Sequence, residues 1–506
     1  MGTASFLFPI AVILAVGALL YGRALFFGFL NYDDTPLLVE QFMRVSDFGH
    51  ALASFHRDAF ALLGPDSRGV YYRPVLWLSY LVDARIGGTR PAVYHATNLL
   101  LHLAACTLAY VLLRRFGSGW RTALLLALVL LVHPALASVV GWIPCRNDTL
   151  LALFAMTAAL ALLSFLERPG LARGVAVAAS TALALFTKES GLALLAVLPA
   201  QAVVLRGPAV LRSRPLQLLG VGIGSVALGF VLLRRHALGA FPVGTSNALG
   251  DPIDTLARLV VYIGKTLLPV QLAVQPHLPD SSLVPGVVAL GVVAVALFAM
   301  RARLTPRFAF GCFWYLAFLA PALLTAKEMQ GLEHRLYVPL IGLLIAAASL
   351  RPGTWPLPRP LLQGGALVLL ALLAAQTARR LPDYASDIAF WESASRSAPH
   401  SEPVWRTLAF RYFENGRLAE AVAGARRAIA LNGDEAKGHL VLGIALARQG
   451  RSAEANEELR AATRLDPDNA DAWANLSQLQ LLMGDREGSA RSRKLADEAA
   501  ARAAAR

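Results

Sequence analysis

Residues 5–34 read SFLFPIAVILAVGALLYGRALFFGFLNYDD and carry no charged side chain before Arg23. An uncharged apolar run of this length can cross the hydrocarbon core of a bilayer, so we predict a first membrane span at 5–22. Asp33 and Asp34 then follow only a few residues beyond the membrane surface. Because adjacent carboxylates repel each other, the pKa of one is raised toward the range useful for a general base. The alternative is an acidic helix cap or turn.

The composition of the whole chain indicates a polytopic, all-α membrane protein. Of 506 residues, 56% are hydrophobic, and the apolar residues come in blocks of about twenty. Ten further spans are predicted, which makes eleven: 93–113, 121–139, 149–166, 172–187, 189–205, 216–233, 283–300, 308–324, 336–350 and 361–378. Arg258 and Lys265 interrupt the stretch 256–272, so we predict that it lies at the membrane interface rather than forming a twelfth span.

The distribution of positive charge predicts the topology. With an inside N-terminus, the short loops 114–121, 167–173, 206–215, 301–307 and 351–360 share one side and hold 13 Lys/Arg in 42 residues. The positive-inside rule makes that side cytoplasmic. We therefore expect Asp33, Asp34 and the C-terminal part to lie on the outer face of the membrane, with the N-terminus in the cytoplasm. Basic patches with interleaved aromatics are not found, which argues against nucleic acid as a partner.

The loop 23–92 is long enough to carry structure of its own on the outer side. Apolar residues recur at helical spacing from Phe48 to Leu62, and Tyr71-Tyr72-Arg73-Pro74 opens a second segment with proline suited to a first helical turn. Arg73 can pair with a phosphate, pair with an aspartate or extend to the lipid headgroups.

Polar residues inside the spans are expected to face the bundle interior or a cavity. His95, Asn98 and His102 share one face of the second span, where they can bind substrate or pack helices through hydrogen bonds. His133-Pro134 is expected to kink the third span. Gly220-Val221-Gly222-Ile223-Gly224 follows no strand, so we predict small-residue helix packing there rather than a nucleotide loop.

Charged groups also collect at the outer ends of spans, in Arg146-Asn147-Asp148, Lys188-Glu189 and Glu333-His334-Arg335-Leu336-Tyr337. Only five lysines accompany forty-two arginines, so a lysine at position 188 suggests a point charge for phosphate, with chance placement at headgroup level as the alternative. Carboxylates and cations at one membrane face are what phosphate chemistry there needs. Cys106, Cys145 and Cys312 show no metal-ligand spacing and support neither a disulfide framework nor zinc.

The C-terminal part has an internal period of 34 residues. Trp405, His439 and Trp473 are spaced by 34, as are three leucines and the glycines Gly416, Gly450 and Gly484. This spacing is the tetratricopeptide signature, with three repeats over about 401–495. We therefore divide the chain into a membrane domain at 1–381 and a repeat domain at 382–506, whose concave surface would bind peptide or protein unless it is only a helical lid.

The motifs in their order resemble those of a known family. They are Asn31-Tyr32-Asp33-Asp34, Tyr72-Arg73-Pro74, Tyr94-His95-Ala96-Thr97-Asn98-Leu99-Leu100-Leu101-His102, Val132-His133-Pro134, Arg146-Asn147-Asp148, Lys188-Glu189 and Arg335-Leu336-Tyr337-Val338-Pro339. Together with the repeats they look like the transmembrane and tetratricopeptide repeat-containing glycosyltransferases, O-mannosyltransferases of the GT-C fold. The chain would be a bacterial relative.

The resemblance implies transfer of a sugar, mannose in that family, from a polyprenyl-phosphate carrier to a protein Ser or Thr hydroxyl. Asp33 would be the base and Asp34 would orient Asp33 or the acceptor. The phosphate of the donor would be bound by Arg146, Lys188, His334 and Arg335. Substrate contacts would come from a second set of side chains: Arg73, His95, Asn98, His102, Glu189 and Tyr337. A divalent metal between the two aspartates stays open, although two adjacent acids make a thin cage.

Two other functions remain as alternatives. One keeps the chemistry and changes the acceptor to a lipid or a glycan. The other is a non-enzymatic lipid transporter or assembly scaffold that uses the repeats for docking. Inverted repeats of span length would favour a transporter, and none is evident in the sequence.

Overall fold

The structure is a computed structural model that describes residues 4–58, 71–239, 252–301, 304–324, 332–350 and 359–505. In these ranges the regular structure is helical throughout, without a strand. The chain divides into two compact units. The first comprises 1–272 and 282–386, and the second comprises 273–281 and 387–506.

The first unit contains sixteen of the described α-helices. Those of its N-terminal half are α1 (Ala4–Tyr21), α2 (Phe42–Val45), α3 (Phe48–Ala53), α4 (Pro74–Gly87), α5 (Pro91–Arg115), α6 (Trp120–Val132), α7 (Ser138–Gly141) and α8 (Arg146–Glu167). The others are α9 (Leu171–Thr187), α10 (Leu194–Arg206), α11 (Arg214–Leu238), α12 (Pro252–Leu267), α13 (Val284–Met300), α14 (Pro306–Leu324), α15 (Tyr337–Ser349) and α16 (Arg359–Arg380).

The all-helical membrane architecture is confirmed, and the chain is a multi-pass membrane protein. Among the described residues, seven helices are long and apolar enough to cross a bilayer, or eight if a bent pair forms one span. Each of the eleven predicted spans coincides with a helix, but three of these helices fall short of that length: α9, α13 and α15, with 17, 17 and 13 residues. The number eleven therefore stays a prediction.

The predicted kink at His133-Pro134 is confirmed. Helix α6 ends at Val132, and the next helical segment, Pro134–Gly141, is bent away from it by 52°. The His133 ring accepts the N–H of Ala135 on one nitrogen, and its Nε2 lies 3.0 Å from the carbonyl oxygen of Thr266. Pro134 has no backbone N–H, so the helix cannot continue its regular hydrogen bonds through this point. The His133 imidazole supplies hydrogen bonds to some of the backbone groups near the break.

The described residues of the loop after α1 form regular structure. Helix α4 begins at Pro74, as predicted, whereas the segment from Phe48 forms only the six-residue helix α3. Ala59 and Leu62, the last members of that apolar series, lie outside the described residues. Helix α12 packs Arg258, Tyr262 and Lys265 inward, and its position at a membrane interface remains a prediction.

Two glycine motifs behave differently. Gly311 of α14 and Gly342 of α15 face each other so closely that a Cβ on either would collide with the other helix's backbone, which makes this a close helix contact. The predicted packing role of Gly220, Gly222 and Gly224 is wrong for the described part of the chain. A Cβ added at any of the three would meet nothing within 4 Å.

The second unit contains the repeats. Helices α17 (Asp387–Ser397), α18 (Glu402–Glu414), α19 (Leu418–Leu431), α20 (Ala436–Arg448), α21 (Ser452–Leu465), α22 (Ala470–Leu482) and α23 (Arg486–Ala505) follow in order. The last six form three helix pairs. The first helix of each pair is followed by Gly416, Gly450 or Gly484, with φ of +74°, +78° and +86°, a conformation that glycine adopts without strain.

One contact recurs in each repeat and explains why His439 takes the place of tryptophan. Trp405 Nε1 donates to Pro399 O at 3.0 Å, and Trp473 Nε1 donates to Pro467 O at 3.0 Å. His439 Nε2 lies 3.0 Å from Gly433 O, which is again six residues earlier. A ring nitrogen at this position therefore ties each repeat to the turn that precedes it.

Candidate functional site

The two adjacent aspartates have different environments. Asp34 is fully buried, and its Oδ2 accepts the backbone N–H of Leu30 at 3.0 Å. A π-helical turn, Thr35–Glu40, starts directly after it. Asp34 therefore closes the loop that carries Asp33. This agrees with the alternative interpretation of an acidic turn for Asp34. Asp33 is only partly buried and is the more exposed of the two carboxylates.

Burial raises the pKa of Asp33 from 3.8 to about 6, and the nearby Arg73 guanidinium opposes this rise. At neutral pH the Asp33 carboxylate is mostly ionised, yet it is a stronger base than an ordinary aspartate. A carboxylate in that state can accept a proton from a hydroxyl whose acidity increases as it reacts.

Arg73 is held between an aromatic ring and a carboxylate. Its guanidinium lies 4.4 Å from the centre of the Tyr71 ring, and its Nε is 3.8 Å from Glu189 Oε2. Glu189 Oε1 also accepts the N–H of Tyr72 at 3.1 Å. Glu189 thus anchors the segment just before α4 to the turn after α9, and the 3.8 Å separation leaves Arg73 loosely paired.

Lys188 forms a close ion pair at the other side of this turn. Its Nζ donates to Asp148 Oδ1 at 2.6 Å and lies 3.4 Å from Asn147 Oδ1. Both partners are buried, and Asp148 Oδ2 is 3.9 Å from His334 Nε2. Burial lowers the pKa of Lys188, while the Asp148 carboxylate favours the ammonium form.

His334 is predicted to bind phosphate, and its environment decides in which form it could do so. Burial lowers its pKa to about 3, against the opposing effect of Asp148. The imidazole is therefore neutral at pH 7 and could offer one N–H but no charge. Its ring is 5.8 Å from Trp142, which is in turn 5.8 Å from Tyr32 beside Asp33.

Arg335 completes the cluster. It interacts electrostatically with Lys188, His334 and Tyr71, and its side chain hydrogen-bonds to Tyr262. Asp33, Arg73 and Glu189 also interact electrostatically with Tyr71. We call this group the outer cluster, after the membrane side on which the sequence predicts it. Its members are Asp33, Arg73, Asp148, Lys188, Glu189, His334 and Arg335.

Arg146 lies outside the outer cluster. It is fully buried, and its Nη2 is 2.5 Å from Asp83 Oδ2. Its Nε donates to Asn98 Oδ1 at 2.6 Å, and its Nη2 donates to Tyr94 O at 2.9 Å. The Arg146 guanidinium is thus engaged by acceptors within the protein, and its role toward the donor phosphate stays a prediction.

The polar side chains of α5 also have hydrogen-bond partners within the bundle, and their predicted role toward substrate stays a prediction. Asn98 Nδ2 donates to the carbonyls of Val139 and Ile143, both at 3.2 Å. His95 Nδ1 is 3.0 Å from Val140 O. The side chains of α5 thus bond to backbone carbonyls in the irregular stretch that follows α6.

His102 and Tyr337 form a pair within the bundle. Their side chains meet at 2.6 Å, between His102 Nδ1 and the Tyr337 hydroxyl, and His102 Nε2 lies 3.2 Å from Leu131 O. Both residues are completely buried. Of the predicted substrate-binding residues, only Arg73 and Glu189 therefore lie in the outer cluster.

Sequence reasoning assigned no role to three residues that matter here. Asp148 is the carboxylate that holds Lys188, and Asp83 is the partner of Arg146. Tyr71 supplies the ring against which Arg73 packs. The sequence did indicate that Asp148 and Asp83 need partners, because an aspartate inside an otherwise apolar helix needs a buried cation. The sequence did not say which one.

A metal site is not formed by the described residues, since no three His, Cys, Asp or Glu side chains among them are placed to share an ion. The outer cluster instead combines three carboxylates with three basic side chains. Positive charge on Arg73, Lys188 and Arg335 would attract a phosphate to this cluster.

The chain was compared with known proteins. The tetratricopeptide repeat family model matches residues 436–479, which confirms the repeats. No curated protein sequence matches the chain. Of 31 matching structure chains, a crystal structure of MamA is 20% identical, with a TM-score of 0.23, over 29% of this chain and 87% of that one. The structure of MamA MSR-1 C2 is also 20% identical, with a TM-score of 0.21, over 29% of this chain and 82% of that one. ArnT from Cupriavidus metallidurans, bound to undecaprenyl phosphate, is 18% identical, with a TM-score of 0.46, over 91% of this chain and 80% of that one.

Proposed function

We propose that this protein is a membrane glycosyltransferase of the GT-C type. It moves a sugar from a polyprenyl-phosphate carrier to an acceptor hydroxyl. The observation that carries the proposal is the environment of Asp33, a partly buried carboxylate with a pKa of about 6 beside Arg73. A base and a set of phosphate-binding cations, in one cluster next to apolar helices, suit a substrate that is lipid-linked and anionic.

Asp33 removes the proton of the acceptor hydroxyl as its oxygen attacks the anomeric carbon. The new carbon–oxygen bond forms as the bond to the carrier phosphate breaks, and the electron pair of that bond leaves with the phosphate. Attack from the side opposite the leaving group inverts the anomeric configuration. The proton rests on Asp33 and is released to water, which its pKa of about 6 allows at neutral pH.

The leaving phosphate needs charge stabilisation more than it needs an acid. Lys188 and Arg335 supply positive charge, and the neutral His334 can donate one hydrogen bond. Arg73 joins them because its pairing to Glu189, at 3.8 Å, is loose enough to be exchanged for phosphate. Asp148 keeps Lys188 in place while the donor site is empty.

The finer identity of the substrates rests on the sequence resemblance. It implies mannose as the sugar and a protein Ser or Thr as the acceptor, and the repeats support a protein acceptor because such surfaces bind extended peptides. The same resemblance and the positive-inside rule imply an inner-membrane enzyme with a cytoplasmic N-terminus, a GT-C-like domain at 1–381 and a periplasmic repeat domain at 382–506.

The test uses purified full-length protein in liposomes with a synthetic polyprenyl-phosphate mannose. Release of polyprenyl phosphate and labelling of acceptor peptides are both measured. Asp33→Asn should lower transfer by roughly 10²–10⁴-fold. The matched control is Glu167→Gln, which removes an exposed carboxylate, paired with Arg115, at the far end of α8. Unchanged transfer by Asp33→Asn, with the control also active, would exclude Asp33 as the base.

A further inference from the structure

An apolar cavity lies between α8, α10 and α11, far from the outer cluster. Its volume is about 230 Å³, and Gln217 is its one polar lining side chain. This is below the roughly 300–1,000 Å³ of pockets that enclose a small ligand, so the cavity suits part of a longer apolar molecule. The residues that define it best are Leu162, Leu198, Leu216, Leu219 and Ile223.

Gly220 opens this cavity toward the outside of the bundle. It lines the cavity, and a Cβ added to it would meet nothing within 4 Å. Its neighbours Leu218 and Val221 are 64% and 68% exposed, as expected for a helix surface in contact with lipid. The missing side chain therefore leaves an entrance on the membrane-facing side of α11.

The cavity and the outer cluster lie at different levels along α8. Asp148 is in the first turn of α8, whereas Leu162 is near its end. The 14 residues of helix from Asp148 to Leu162 rise about 21 Å. A ligand in this cavity is therefore separate from a donor at Lys188.

Positive charge surrounds the mouth of the cavity. Arg206, Arg212 and Arg214 are exposed in the connection from α10 to α11, and Leu211 and Leu216 of the same region line the cavity. The stretch 190–250 contains no Asp or Glu at all. The nearby carboxylate of Glu167 is bound by Arg115 at 2.9 Å. The arginines thus lack a carboxylate from their own segment.

We propose that this cavity and its arginines bind an anionic glycerophospholipid of the bilayer. One acyl chain enters the cavity beside Gly220, and the headgroup phosphate lies against Arg212 and Arg214. Basic pockets between membrane helices bind anionic headgroups in this way. The positive-inside rule accounts for arginines in such a loop, but it does not account for an apolar cavity directly beneath them.

A second copy of the chain is the other possible occupant, and the charges oppose it. Two copies that met through this face of α11 would bring their own arginine groups together, and like charges in apposition weaken association. A lipid phosphate neutralises the same arginines.

The experiment titrates full-length protein in detergent with phosphatidylglycerol and with phosphatidylcholine of the same acyl chains. Bound lipid is counted by native mass spectrometry. Wild type should prefer phosphatidylglycerol. Arg212→Gln combined with Arg214→Gln should bind it roughly 10- to 30-fold more weakly, because each arginine near an anionic headgroup contributes to affinity. Gly220→Leu should lose both lipids, since its side chain occupies the entrance.

Two matched controls share the same helix. Gly222→Leu adds the same side chain at a glycine that is equally open but does not line the cavity, and Arg235→Gln removes an exposed charge near the other end of α11. Both should bind lipid as wild type does. Equal affinity for the two lipids, or unchanged binding by Gly220→Leu, would overturn the proposal. So would a lipid-free dimer that Gly220→Leu abolishes, since a second copy would then cover this face.

Discussion

The ammonium of Lys188 lies 2.6 Å from the carboxylate of Asp148, and both side chains are buried. This pair joins the residue after α9 to the first turn of α8, forty positions earlier in the chain. Removing one partner of a buried ion pair leaves an uncompensated charge, whereas removing both does not. The pair therefore allows the structural role of Lys188 to be separated from its proposed role toward phosphate.

We expect Lys188→Met alone to destabilise the membrane unit by roughly 3–5 kcal/mol and to abolish donor binding. Adding Asp148→Asn should restore most of the stability but none of the donor binding, since the cation is still missing. Thermal unfolding in detergent and binding of a polyprenyl-phosphate sugar are the two measurements. If the double variant regains donor binding together with stability, Lys188 contributes to folding and not to phosphate binding.

The pH dependence of transfer should report Asp33. Its raised pKa of about 6 means that the carboxylate is protonated, and inactive as a base, below that pH. The kcat/KM should therefore rise about tenfold per pH unit below 6 and level off above it. Arg73 favours the ionised form, so Arg73→Gln should move the midpoint to higher pH. Arg206→Gln, at the end of α10, is the control and should leave the midpoint in place.

Arg146 should behave as a structural residue. Because its guanidinium is buried against Asp83 and Asn98, Arg146→Met should cost roughly 3–5 kcal/mol of stability. Arg121→Gln, an exposed change on α6, should cost little. Unfolding midpoints of the detergent-solubilised proteins make the comparison. If the Arg146→Met protein is stable and has a raised KM for the donor, Arg146 contributes to binding the donor phosphate.

The repeats should matter for a protein acceptor and not for the donor. Replacing Gly416, Gly450 and Gly484 by valine forces a β-branched residue into positive φ at three turns, at about 1–2 kcal/mol each. We expect transfer to protein to fall while donor binding is kept. Gly433→Ala is the matched control, because a Cβ there makes only ordinary contacts. Full protein transfer by a variant whose repeats have unfolded would favour a lipid or glycan acceptor.

The topology can be tested with single cysteines in a Cys312→Ser background. Positions 119 and 209 lie in predicted cytoplasmic loops, and position 474 is exposed on the third repeat. An impermeant thiol reagent should label Ala474→Cys in intact cells, and it should label Gly119→Cys and Ala209→Cys only after permeabilisation. The reverse pattern would move the outer cluster to the cytoplasm.

Much of the architecture could be predicted from sequence because the signals are local and periodic. Apolar runs located the helices, the 34-residue spacing predicted the repeats, and His133-Pro134 marked the kink. Asp33 was predicted as the candidate base from its place just beyond a span, and that role stays a prediction. Each of these depends on residues that are neighbours in the chain, so hydropathy and helical periodicity suffice to detect it.

Only the tertiary structure decided which polar groups share a site. Arg146 and Lys188 look alike in the sequence, as basic residues at the ends of spans, yet Arg146 is enclosed by Asp83 and Asn98, whereas Lys188 joins Asp148 and His334. Likewise, the inward-facing His102 bonds to Tyr337, 235 residues away. An apolar environment demands a partner for every polar group, but the identity of that partner depends on long-range packing, which no local pattern encodes.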